Sequence, residues 1–104
     1  MNQEEAARLL ALHRRSIDEI DRKIVNCLNE RASVVENIGN IKQQMTMPVY
    51  EPKREDDVFR NVTENNPGPM PSDAVKRVFE RIIDEMRTLQ RNRMQSAPSR
   101  EKES

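Results

Sequence analysis

A chain of 104 residues, 35% hydrophobic and 35% charged, is bounded to one domain and is lean for a core of its own, though ordinary for long helices with solvated outer faces. Lys plus Arg equals Asp plus Glu at 18 each, so no general polycation exists to hold a nucleic-acid backbone, and any anion site must be local. The single cysteine, Cys27, excludes an intrachain disulfide; MNQEEAARLL lacks a signal-peptide pattern, no apolar run approaches transmembrane length, and a reducing cytoplasm is the expected location.

Residues 1–5 form a polar lead-in whose Glu4 and Glu5 suit the positive dipole end of a helix. A first helix is expected over about 3–46. Taken in sevens, Leu10, Ile17, Ile24, Arg31, Ile38 and Met45 fall in one register, and His13, Ile20, Cys27, Val34 and Ile41 in a second three residues later. That is a heptad seam. No proline interrupts it, and straight-chain residues fill the outer positions. Such a helix would be roughly 60 Å long, whereas a compact monomer of this length has a radius of gyration of only about 13 Å. Another copy of the chain is expected alongside.

Arg31 breaks the seam. A guanidinium there loses hydration, which is tolerable only if an acid, an anionic ligand or water meets it. Arg14, Asp21, Leu28, Val35 and Lys42 form a neighbouring row with cations near both ends, and Arg31 and Lys42, almost three turns apart, share a face. About 40 Å of helix separates Arg14 from Lys42 within one chain. An antiparallel partner could bring Arg14 of one chain beside Arg31 and Lys42 of the other, giving two equivalent cationic pockets. Cys27 reads as a small core residue rather than a nucleophile. His13 has no companions at metal-ligand spacing and reads as a packed or partly exposed side chain.

Pro48 stops the first helix, and Pro52 suits the first turn of the next, so PVYE is a short, stiff corner. The second helix, 52–64, buries Val58, Phe59 and Val62. Acids in its first turn favour the dipole, and Glu55 taken alone is a helix-start carboxylate. The loop NNPGPMPS follows, with Ser72 as a candidate cap for a third helix over 72–92. That helix presents Val75, Val78, Phe79, Ile82, Ile83, Met86 and Leu89 as its apolar face. Gln90 extends the stripe, and spacing alone favours a fraying helix end over an amide aimed into a pocket. Residues 94–104 have the composition of a disordered tail. The sequence holds no internal repeat, glycine-rich phosphate loop, zinc spacing or Ser/His/Asp arrangement.

The stretches HRRSIDEIDRKIVNCLNERASVVENIGNIK, PVYEPKRE and VFERIIDEMRTLQ resemble the all-helical AroQ-type bacterial chorismate mutases, in their monofunctional form, over about residues 7–92. The resemblance implies an all-α fold, three helices per chain in an intertwined homodimer with two shared active sites. It also implies rearrangement of chorismate to prephenate, a step toward phenylalanine and tyrosine, with no metal or cofactor. On this resemblance Arg14 of one chain and Arg31 of the other meet the substrate carboxylates, and Lys42 and Gln90 donate to the ether oxygen. Glu55 accepts from the ring hydroxyl, with Glu51 beside it and Arg54 completing the charged wall. Glu51 replaces an Asp of the enteric pattern, and Met86 replaces a Ser that helps hold a carboxylate, so Met86 is left outside the site. Two other readings stand beside this one: an isochorismate-pyruvate lyase on the same fold, and a helical dimerisation module whose cations only pair with acids. Docking on a shikimate-pathway enzyme partner stays open.

Overall fold

A computed structural model describes the backbone of residues 1–103 and the side chains of residues 1–95. The described residues form three α-helices and no strand: α1, Gln3–Met45; α2, Pro52–Glu64; and α3, Ser72–Glu103. The fold is all-α, as expected. Asn2 opens α1 by accepting the Glu5 N–H on its Oδ1 at 2.8 Å, and Glu4 and Glu5 occupy the first turn.

The end of α1 is set before Pro48 is reached. Thr46 adopts a left-handed conformation at φ 54. Its N–H donates to the Gln43 carbonyl at 3.4 Å, and the Met47 N–H donates to the Lys42 carbonyl at 2.8 Å. This is the pairing of a Schellman turn, which satisfies carbonyls that the helix leaves open. It reverses the chain, and Pro48 then prevents any return to helix. Pro52 begins α2, and Glu51 precedes it without making a side-chain cap bond.

The half-buried Val58, Phe59 and Val62 lie on α2, which packs on α3. Asn66 organises the intervening loop: its amide nitrogen donates to Met70 O at 2.7 Å, and its oxygen accepts from Gly68 N–H at 3.1 Å. Ser72 departs from its expected cap role. It is the first residue of α3, and its hydroxyl donates back to Thr63 O at 3.5 Å while accepting from Asn66 at 3.2 Å. The hydroxyl thus ties the loop to the end of α2.

On α3, Ile83 is buried, and Val75, Phe79, Ile82, Met86 and Leu89 are half-buried, whereas Val78 is exposed. Helical backbone passes the end expected near residue 92 and reaches Glu103. Just past that expected end the Met94 carbonyl accepts a 3.0 Å bond from Gln43 Nε2 of α1, which holds the chain there. The expected tail over 94–104 otherwise falls mainly on side chains outside the described residues.

The chain divides into two compact units, residues 1–33 and 34–104. In the first, a single helical segment, the seam residues Leu10, Ile17, Ile20 and Ile24 are 50–54% exposed. A lone helix with an uncovered apolar stripe is marginal in water. In the second unit the seam residues Val34, Ile41 and Met45 are likewise exposed, and no large described side chain is fully buried. Each unit therefore carries apolar surface that it does not cover itself.

Candidate active site

Lys42, in the last turn of α1, is only 6% exposed. Burial of an ammonium is costly unless its donors are matched. Its three donors have three acceptors: Val49 O at 3.0 Å, Gln90 Oε1 at 3.0 Å and Glu51 Oε2 at 2.9 Å. The Schellman turn makes this set available, because chain reversal brings Val49 and Glu51 back over Lys42. The uncapped position of Glu51 has the same origin: its carboxylate serves Lys42 instead of its own helix.

Gln90 is also 6% exposed. It lies inside α3, with helix continuing beyond it, so it is not the fraying end that spacing favours. The ammonium fixes its amide orientation, since only Oε1 can accept from Lys42. The Nε2 edge is left as a donor. This side chain passes close to Gly39, where a Cβ would stand 3.1 Å from Gln90 Cγ and would push it aside by a few tenths of an ångström. Nothing in the sequence pattern beyond a tolerated helical glycine points to that role.

Glu55 lies one turn after Glu51, and its N–H donates to Glu51 O at 3.1 Å. Its Oε2 accepts a 2.5 Å charge-assisted bond from Arg87 Nη2 of α3. The Arg87 guanidinium also lies over the Tyr50 ring, 5.1 Å from its centroid. The hydrogen bond to Glu55 raises the Arg87 pKa above its ordinary value, against the opposing effect of burial. Arg87 is absent from the sequence-derived site. Its spacing to Asp84 suggests an ordinary surface pair, and the Nη1 contact to Asp84 at 3.4 Å does exist; the contact to Glu55, thirty-two residues away, has no local signature.

The structure thus joins Lys42, Glu51 and Gln90 directly, with Glu55 on the adjoining turn. Arg54 is exposed in the first turn of α2. Arg14 is exposed and Arg31 half-buried in the separate unit 1–33. Chemically, a buried ammonium beside an oriented amide presents hydrogen-bond donors where negative charge could be stabilised. An incoming acceptor must share Lys42 with one of its present partners or displace it.

Residues 13–91 match the family described as chorismate mutase type II. The chain is 41% identical over 83 residues to a bifunctional chorismate mutase/prephenate dehydratase of Neisseria gonorrhoeae, a match covering 80% of this chain and 22% of that protein. It is 28% identical over 97 residues to a chorismate mutase of Methanocaldococcus jannaschii, covering 89% and 95% of the two chains. A chorismate mutase structure from Thermus thermophilus superposes with a TM-score of 0.76 at 33% identity, over 81% of this chain and 94% of that one. The chain therefore spans about a fifth of the bifunctional relative and nearly all of the other two. The chain belongs to the chorismate mutase type II family.

Proposed function

We propose that this protein is an isomerase that converts chorismate to prephenate in aromatic amino acid biosynthesis, in the cytoplasm, as a homodimer with two composite sites. The observation that carries the reading is the buried Lys42–Gln90 pair, with the amide oxygen committed to the ammonium. The rearrangement is unimolecular and pericyclic. A catalyst must hold a flexible dianion in its chair-like conformer and stabilise charge growing on the ether oxygen as the C–O bond breaks. Lys42 and the Nε2 edge of Gln90 donate to that oxygen. Arg14 of one chain and Arg31 of the other hold the two carboxylates, where a planar fork binds bidentately. Glu55 accepts from the ring hydroxyl, and Glu51 and Arg54 complete the wall. The mechanism asks for no metal or other cofactor.

Two features support the dimer. The uncovered seam on both units needs an apolar partner surface, and the sequence expectation of one long first helix puts Arg14 and Lys42 too far apart to meet within a chain. A two-fold axis then generates two identical sites. The test is to offer chorismate and isochorismate separately to purified protein and identify the products. Prephenate from chorismate is expected. Pyruvate released from isochorismate as the main activity would replace this reading with the lyase, and turnover of neither would leave a dimerisation module.

A further inference from the structure

We propose that Arg87 is a positioning residue for substrate recognition: it orients the Glu55 carboxylate so that the second oxygen receives the ring hydroxyl. The inference rests on the proposed role of Glu55 and goes beyond it by naming the group that makes the carboxylate competent.

Four observations converge on Arg87. Its Nη2 donates to the Oε2 oxygen of the Glu55 carboxylate at 2.5 Å. A carboxylate can accept on both oxygens, so Oε1 keeps its capacity for a hydroxyl donor. The guanidinium carbon lies over the Tyr50 ring, 5.1 Å from its centroid, which joins the PVYE corner to the same contact. Arg87 is also one turn before Gln90 on α3, as Glu51 is one turn before Glu55 on α2. Two rungs therefore cross the site: Gln90–Lys42–Glu51 and, beside it, Arg87–Glu55.

The fourth observation is that Arg87 Nε is buried with no hydrogen-bond partner. Leaving a buried donor unmatched is unfavourable, and a partly buried ion pair is a weak means of holding two helices together compared with apolar packing. Adhesion of α2 to α3 alone would be better served by an aliphatic side chain at position 87. An arginine that tolerates an unmatched Nε while directing Nη2 at Glu55 is explained by control of that carboxylate. The hydrogen bond to Glu55 is also the largest cause of the raised Arg87 pKa.

The test compares kcat/KM for chorismate with that for the analogue lacking the ring hydroxyl, in wild type, Glu55→Ala, Arg87→Met and Arg87→Lys. Circular dichroism checks folding, and Arg87→Gln carries the same comparison if Arg87→Met does not fold. Wild type should prefer chorismate. Both Glu55→Ala and Arg87→Met should reduce that preference roughly 10- to 100-fold, acting on chorismate while leaving the analogue nearly unchanged. Arg87→Lys, which keeps a cation within reach of Glu55, should retain most of the preference. If Glu55→Ala abolishes the preference but Arg87→Met and Arg87→Gln slow both substrates equally, Arg87 is merely structural and the proposal is overturned while the role of Glu55 stands. If Glu55→Ala keeps the preference, the role of Glu55 itself fails and the proposal falls with it.

Discussion

At position 90 a neutral amide gives its oxygen to Lys42 and keeps its N–H2 edge for another acceptor. An amide does so at any ordinary pH, so wild-type activity should vary little across neutrality. Gln90→Glu keeps the shape but donates only when protonated, and its ionised form repels the substrate carboxylates and the developing oxyanion. The variant should be active in acid and lose activity as pH rises. The two parts of its profile should also separate. In the empty enzyme, Lys42 favours the ionised carboxylate, which places the fall in kcat/KM at lower pH; in the occupied site the bound dianion raises the pKa, which places the fall in kcat higher. A variant profile parallel to wild type would remove Gln90 from the ether oxygen. Gly39 provides a second check on the same side chain. Alanine is favoured over glycine in a helix by about 1 kcal/mol, but its Cβ would crowd Gln90 Cγ at 3.1 Å. Gly39→Ala should leave the melting temperature close to wild type and lower kcat about tenfold through displacement of the amide; an unchanged kcat would contradict the close-approach role. Lys42 and Gln90 are both legible through their resemblance to a family pattern. Gly39 and Arg87 are not, because each acts through a contact across helices and neither disturbs the periodicity of its own helix.

The elements themselves are readable for a physical reason: heptad spacing, unbroken helix formers, and Pro48 and Pro52 at the corner all indicate the same boundaries. The turn that ends α1 is not, since a Schellman turn usually has glycine at the left-handed position and this one has Thr46. A β-branched residue is strained there. Thr46→Gly should relieve roughly 1–2 kcal/mol of left-handed strain, offset in part by greater freedom of the unfolded chain. A net gain of about 0.5–1 kcal/mol is expected, measured as a higher denaturant midpoint without a change in slope. Destabilisation would mean that the Thr46 side chain contributes more than its backbone costs. Ser72 and the end of α3 depart from expectation for a common reason. Capping and fraying are local expectations, whereas the Ser72 hydroxyl is taken by Thr63 and Asn66, and Met94 is held by Gln43.

At the scale of the whole molecule, each proposed site is built from two chains. Apolar exposure along α1, together with the few buried side chains among the described residues, supports that proposal. In the proposed dimer Arg14 comes from the partner, and Lys42 from the chain that supplies Gln90 and Glu51. Arg14→Ala and Lys42→Ala should each abolish activity alone. Mixed in equal amounts and allowed to exchange subunits, they form heterodimers in which one site combines the intact Arg14 of one chain with the intact Lys42 of the other, while the second site carries both losses. With complete random exchange, half the dimers are mixed, so activity should recover to about a quarter of the wild-type value. Heterodimers verified by mass spectrometry that remain inactive would contradict the composite site.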